Sequence, residues 1–147
     1  MAGTQSAETS GDAMAVSAQN ALLAAIWQAL SDDAAIVARV GVDGIRDRLL
    51  PHPVLPAIVF ADIETTDLAT ATEPGEAHRL TIEVWSRADG RREAEEIAAL
   101  VRRRLDDRPP VLDAIALVSL LYTGGRSRRD ARTGAFLSEL RFRAVTE

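Results

Sequence analysis

A change of hydrophobic period within residues 79–105 constrains the fold more than any other feature of this chain. Up to Ser86, apolar and polar residues alternate, as in a strand that is buried on one face. After a turn in which Asp89 is a suitable N-cap, the period becomes that of an amphipathic helix. Such a pair is half of a two-layer domain. Its apolar face is predicted to contain Leu80, Ile82, Val84, Ala94, Ile97, Ala98, Val101 and Leu105.

The remaining segments predict two further helices and four further strands. The order α-α-β-β-β-α-β-β favours an α+β domain, with helices packed on one face of a mostly antiparallel sheet. We expect a single such domain over residues 17–147 and a disordered tail over residues 1–16, which are small and polar. The predicted helices are 17–30 and 34–40, and the further strands are 45–50, 57–65, 117–122 and 136–145.

Composition and motifs exclude several kinds of site. The chain has no cysteine, so it forms no disulfide and no thiolate site. The motifs GxSxG, HExxH, GxGxxG and the P-loop pattern are missing from the sequence. His52 and His78 have no evident ligand or base partner, so both are expected at the surface. We therefore expect no metal and no cofactor. We also expect no membrane partner, because no apolar run is long enough to cross a bilayer.

Asp62, Glu64 and Asp67 form the best acidic cluster. Asp62 and Glu64 would share one strand face by the period of two. One interpretation is a divalent-metal site or an acid–base pair. The other is a solvated strand edge or an acidic interface patch, and the sequence leaves both open.

A polar segment at residues 126–132 is rich in arginine. Flexible arginines can bind phosphates, although no aromatic residues are interleaved here to stack on bases. The alternatives are a solvated hairpin tip and an arm that binds another protein, because arginine is enriched at interfaces. The candidate residues are Arg126, Arg128, Arg129 and Arg132.

Trp85 lies on the side of its strand opposite to the apolar face. An exposed tryptophan on a sheet face indicates an interface. The alternative is that the sheet curls or that the N-terminal tail covers the side chain.

Several stretches resemble one known family. They are EAHRLTIEVWSR at residues 76–87 with GRREA at 90–94, the ending LRFRAVTE at 140–147, and AIVF at 57–60. Together they resemble the tail completion, or tail terminator, proteins of siphophage-like prophages and gene transfer agents. The resemblance extends over roughly residues 21–147.

The resemblance implies a structural α+β protein of the lambda tail terminator type, with no catalytic residues. Family members are expected to form a sixfold ring on the head-proximal end of the tail tube. Such a ring contacts the tube protein and the head connector or stopper, and DNA passes through its lumen. The expected location is therefore a phage or gene transfer agent particle, assembled in the bacterial cytoplasm.

A ring needs head-to-tail contacts that close. Acidic residues dominate the first 100 positions and arginines the remainder, so the arginines of residues 126–132 in one copy are expected to contact acids of the next. Two other interpretations stay open: a nucleic-acid-binding module that uses residues 126–132, and a small hydrolase or metal enzyme. The proposed acidic partners are Asp62, Glu64, Asp67, Glu73 and Glu76.

Overall fold

Three helices and a five-stranded sheet form an α+β structure in residues 17–87 and 90–147, the part of the chain that the computed structural model describes. The fold class and the order of elements agree with the sequence-based prediction. The helices are α1 (Ala18–Ser31), α2 (Ala34–Val40) and α3 (Arg92–Leu105). The strands are β1 (Ile45–Arg46), β2 (Ala57–Asp67), β3 (Glu76–Ser86), β4 (Leu117–Arg129) and β5 (Phe136–Thr146), and a 3₁₀ turn (Val42–Gly44) precedes β1.

The sheet has the order β1-β2-β3-β5-β4, with β3 at its centre. Only the short β1–β2 pair is parallel, and the other neighbouring strands are antiparallel. Leu80 of β3 lies opposite Ile63 of β2 and Phe142 of β5, so these three side chains share one face. The hairpin of β4 and β5 places β4 at the edge of the sheet.

The core lies between this face and the helices. The apolar stripe that the sequence predicts along α3 is buried, together with the alternating apolar residues of β3. Fully burying one such side chain contributes about 1.5–3 kcal/mol. From α1, the contributing residues are Leu22, Ile26, Ala29 and Leu30.

Side chains cap the first two helices. Ser17 Oγ accepts a hydrogen bond from Asn20 N at 3.2 Å at the start of α1. Asp33 Oδ1 accepts from the amides of the next helix at 3.0 and 3.3 Å, and α2 ends at Gly41, whose φ of 78° suits a residue without Cβ. The predicted N-cap of α3, Asp89, lies outside the described residues, as does the tail 1–16.

Two strands, β1 and β4, differ most in length from their predictions. β1 has only two residues, because prolines follow soon after and the chain turns away from β2. β4 continues through the segment predicted as a loop and ends at Arg129. Pairing with β5 provides backbone hydrogen bonds that a propensity argument on a glycine- and arginine-rich segment does not anticipate.

A loop at residues 47–56, which we call the covering loop, packs over the sheet face that lies away from the helices. Leu49 and Leu55 contact a second apolar cluster there that includes Trp85 and Leu137. Trp85 is only 8% exposed, and its indole N–H donates to Glu83 Oε1 at 3.1 Å. The expectation of an exposed tryptophan is therefore wrong, since this loop provides the cover.

In the described part of the chain, no single helix is long and apolar enough to cross a bilayer. Only α1 and α2 taken together reach that length and composition, and they are bent by 86° relative to each other.

Candidate functional site: the arginine-bearing sheet face

The sheet face opposite the helices, here called the open face, carries most of the charged strand residues. Alternation along β3 and β5 sends every second side chain to this face while its neighbours enter the core. The covering loop occupies the end of the face near Trp85. The residues that matter most on the open face are Arg79, Thr81, Glu83, Arg126, Arg128, Glu139, Arg141 and Arg143.

Two arginines on the open face are neutralised within the chain. Arg128 Nε lies 3.0 Å from Glu139 Oε1, and Arg128 Nη2 lies 4.0 Å from Glu83 Oε2. Arg126 Nε lies 3.7 Å from the other oxygen of Glu139. The carboxylates are the less accessible partners, with side-chain exposures of 14% for Glu139 and 17% for Glu83. We call Arg126, Arg128, Glu83 and Glu139 the paired group.

Burial raises the pKa of the Glu83 carboxyl above its ordinary value. The indole of Trp85 and the guanidinium of Arg128 oppose that change, because both stabilise the carboxylate. The negative charge of Glu139 acts in the same direction as burial. The two arginines therefore bind a pair of crowded carboxylates that need cations nearby.

The structure does not form the flexible arm expected at residues 126–132. Arg126, Arg128 and Arg129 belong to β4, and only Arg132 lies in the turn to β5, where it is exposed. The guanidinium of Arg129 lies 4.6 Å from the centroid of the Phe136 ring. The flexible conformation expected of this segment is therefore wrong for most of its length, since strand pairing and ion pairs hold it against the sheet. That the segment contacts another protein stays a prediction.

The turn after β4 is closed by Asp130, which accepts hydrogen bonds from the backbone N–H and the hydroxyl of Thr133 at 3.0 and 2.6 Å. The hydroxyl bond holds the pKa of the Asp130 carboxyl below its ordinary value. The turn is thus ordered by its own side chains, and it presents Arg132 at a defined end of the sheet.

Three other arginines on the open face form no ion pair with any described residue. Arg79 and Arg143 lie directly opposite each other on β3 and β5, and Arg141 lies opposite Thr81. All three arginines are exposed. With Thr81 and Thr123 they line a groove of about 330 Å³. We call Arg79, Arg141 and Arg143 the unpaired group.

Sequence reasoning did not select the unpaired group as a site. Alternation along β5 places Arg141 and Arg143 on one face, away from the buried Phe142. The missing information was the register that brings Arg79 beside Arg143. The available signal was the pair of arginines two positions apart on the last strand, Arg141 and Arg143.

A larger groove of about 550 Å³ lies between α3 and β4, and its charged residues already have partners in the described chain. The guanidinium of Arg102 lies 3.9 Å from the centroid of the Tyr122 ring. Glu95 Oε1 accepts a hydrogen bond from the Ser138 hydroxyl at 2.5 Å. Glycine is favoured at position 125, because an added Cβ would lie 2.8 Å from the backbone oxygen of Glu139 on the neighbouring strand.

The acidic candidates do not converge, and all except the partly buried Glu76 are exposed. Asp62 and Glu64 lie on β2, where the register shifts by one residue so that Phe60 and Ile63 can both face the core. Glu73 lies in the loop before β3, while Glu76 begins β3 opposite Asp67. Among the described residues, no three acidic or histidine side chains are grouped as a metal site would require.

His78 is fully buried, so its predicted surface position is wrong. Its Nδ1 lies 2.9 Å from Thr65 Oγ1, and its Nε2 lies 2.9 Å from Thr146 Oγ1, which links β2, β3 and β5. Burial lowers the pKa of the imidazole, and the nearby charge of Glu76 opposes the change. His52, in contrast, is exposed in the covering loop, as predicted.

Residues 24–147 match the family described as "Tail completion protein gp17". The chain belongs to this family. It is also similar to a chain in a solved structure titled "Virion of native gene transfer agent (GTA) particle", with a TM-score of 0.81 and 29% sequence identity. That similarity covers 90% of this chain and 99% of the other. A search of curated proteins found no significant match.

Family membership confirms the resemblance seen in the sequence. This tail completion protein is a structural component of the tail of a phage or gene transfer agent particle, which is the predicted location. The match begins inside α1 and includes all five strands, so both arginine groups of the tail completion protein lie within the family domain.

Proposed function

We propose that this tail completion protein forms a ring that caps the head-proximal end of the tail tube and joins it to the head connector, with DNA passing through the lumen. The main support is the similarity to a chain of the native gene transfer agent virion, which extends over 99% of that chain at a TM-score of 0.81. Agreement over nearly the whole of that chain supports a place in the same kind of assembly. The role is structural and includes no enzymatic step.

Both edges of the sheet are available to neighbouring copies. β1 pairs only with Ile58 and Val59, so the side of β2 that faces away from β3 has no strand partner along the rest of its length among the described residues. β4 is the opposite edge over its whole length, and Val118 and Leu121 are 52% and 43% exposed there. An open edge is a template for pairing with another chain, and two different edges suit the head-to-tail contacts of a ring.

Charge supports the same kind of contact. Arg129 and Arg132 lie at the end of the sheet where β4 turns into β5. The exposed Glu73 and the partly buried Glu76 lie at the other end, where β2 and β3 are connected. Arg126 and Arg128 already form ion pairs within the chain. We therefore assign the other two candidate arginines, Arg129 and Arg132, to the contact with the neighbouring copy. On that copy, Glu73 and Glu76 would be flanked by Asp62, Glu64 and Asp67.

Charge reversal tests this contact. The double substitution Arg129→Glu and Arg132→Glu is expected to convert assembled rings into monomers, measured by size-exclusion chromatography with light scattering. Glu73→Arg with Glu76→Arg is expected to restore assembly in that background, because the attraction is re-formed with opposite signs. Arg103→Glu, an exposed change in the helix layer, is the matched control. Rings that persist in the first variant would reject the contact.

A second experiment tests the role in the particle. Particles produced without this chain are expected to show heads separated from tail tubes and tubes of irregular length, as seen by negative-stain electron microscopy. Adding back the purified protein is expected to restore joined particles. Intact particles of normal tail length without the protein would show that it is not the terminator.

A further inference from the structure

We propose that the unpaired group, Arg79, Arg141 and Arg143, binds the phosphate backbone of double-stranded DNA. This inference deepens the proposed function, on which it rests for the place where the chain meets DNA. It assigns the open face of the sheet to the DNA side of the ring. The binding itself is a property of the chain that can be measured without any particle.

The geometry of the groove suits phosphate groups. Arg141 and Arg143 are two residues apart on one strand, so their side chains leave the sheet in the same direction about 7 Å apart. Arg79 completes the group from the neighbouring strand. Thr81 adds a hydroxyl group to the same groove, while the Thr123 hydroxyl donates to the backbone oxygen of Arg141 at 3.2 Å. Arginine guanidinium groups and threonine hydroxyls are common contacts to DNA phosphates.

Electrostatics favour an external anion at this place. Arg79 and Arg143 are directly opposed across an antiparallel pair, where like charges are destabilising. No carboxylate lines the groove, and the neighbouring Glu83 and Glu139 are bound by Arg126 and Arg128. Glu64 lies opposite Arg79 on β2 but forms no ion pair with it among the described contacts. A polyanion would therefore contact three arginines that form no ion pair among the described residues.

The groove fits a nucleic acid better than the acidic surface of another protein. Leu80 and Phe142 also line it, but both side chains are buried on the helix side of the sheet. The groove therefore offers no aromatic or aliphatic anchor, and such anchors dominate the energy of protein interfaces. Without aromatic platforms for bases, recognition is limited to the backbone, so duplex DNA is expected to bind without sequence preference.

The test measures the affinity of the purified full-length protein for a fluorescein-labelled DNA duplex by fluorescence anisotropy at several salt concentrations. Three phosphate contacts predict a slope of log affinity against log salt of about −2.7, which is about a 40-fold loss of affinity between 50 and 200 mM salt. The triple variant Arg79→Gln, Arg141→Gln and Arg143→Gln is expected to lose this salt-dependent binding. Each single variant is expected to reduce the slope by about 0.9.

Two comparison variants make the test specific. A triple Arg→Lys variant at the same positions is expected to keep the salt slope, because the charges remain. The variant Arg92→Gln, Arg103→Gln and Arg108→Gln removes the same charge from exposed positions outside the open face, and it is expected to bind like the original chain. Equal loss of binding in this second variant would mean that net charge alone is responsible, and the proposal would be wrong.

The remaining outcomes also decide the question. Unchanged DNA affinity in the Arg→Gln triple variant overturns the inference. So does a variant that folds but fails to assemble, because the groove would then be a contact between copies. If the Arg→Gln triple variant does not fold, the single variants and the Arg→Lys variant still give the slope of log DNA affinity against log salt concentration. Loss of DNA binding in the Arg→Gln triple variant supports the inference, while intact particles of normal tail length made without the chain argue only against the proposed function.

Discussion

The paired and unpaired arginine groups lie on the same sheet face but differ in what balances their charge. In the paired group, two carboxylates of low exposure bind Arg126 and Arg128 at distances of 3.0–4.0 Å. In the unpaired group, Arg79 and Arg143 face each other with no carboxylate in contact among the described residues. One group stabilises the edge of the sheet, and the other keeps cationic charge available to a partner.

The difference teaches that arginine content alone does not locate a binding surface. The segment with the highest density of arginine, residues 126–132, is largely engaged by the chain itself. The arginines without an ion pair lie on β3 and β5, which each carry fewer arginines than β4. The pairing of these two strands brings Arg79 beside Arg143. Predictions that separate the two groups therefore concern both stability and DNA affinity.

The largest effect is expected from Glu139→Gln, which removes the carboxylate shared by Arg126 and Arg128. We expect the free energy of unfolding to fall by about 1–2 kcal/mol, because a charge-assisted hydrogen bond of a mostly buried side chain is lost. Part of the pair is solvent-exposed, which keeps the loss below that of a fully buried ion pair. Urea unfolding measures the change.

Glu64→Gln is the matched control, since Glu64 lies on an exposed part of the open face without an ion pair among the described contacts. Its effect on unfolding is expected to stay within about 0.5 kcal/mol. Glu139→Gln is also expected to increase DNA affinity, because it releases two cations. Equal stability of the two variants would mean that the paired group contributes nothing, and the contrast between the groups would fail.

Much of the fold followed from local pattern. The change of period at residues 79–105 predicted β3 and α3 and the residues that each buries. The cap of α2 by Asp33 and its end at Gly41 were also predictable, because both depend on neighbouring residues only. Local sequence was sufficient wherever the determining contacts are a few positions apart.

The candidate site was less predictable because it depends on register and on a distant loop. Alternation predicts which face of the sheet a side chain occupies, but the register with the neighbouring strand determines which side chains lie beside it. That is why the partners of Arg128 and the position of Arg79 beside Arg143 were missed. The covering loop over Trp85 and the burial of His78 between two threonines likewise result from segments far away in the sequence.

His78 gives a pH-dependent prediction that concerns the layer behind the unpaired group. Its pKa is lowered in the folded state, so the unfolded chain binds a proton first as the pH falls. The stabilising contribution is complete above the ordinary value of 6.5 and is lost as the pH falls through the lowered pKa. Chemical denaturation between pH 7.5 and 5 is expected to show decreasing stability.

Two variants isolate this contribution. His78→Gln cannot gain the proton, so its stability is expected to change less over the same pH range. Glu83 acts in the opposite direction, because its raised pKa makes the folded state bind a proton more readily as the pH falls. The comparison is therefore cleanest in a Glu83→Gln background. An identical pH dependence with and without His78 would exclude this residue as the cause.

The smallest effect is expected from Arg143→Gln, and its sign distinguishes the groups most clearly. Removing one of two opposed cations relieves repulsion across the β3–β5 pair, so the free energy of unfolding is expected to rise by a few tenths of a kcal/mol, about 0.2–0.5. Arg128→Gln, the same chemical change in the paired group, is expected to lower it. Because surface repulsion is screened, the gain from Arg143→Gln should disappear at high salt. A loss of stability in this variant at low salt would mean that Arg143 has an intrachain partner, and the charge on the open face would no longer be free to bind DNA.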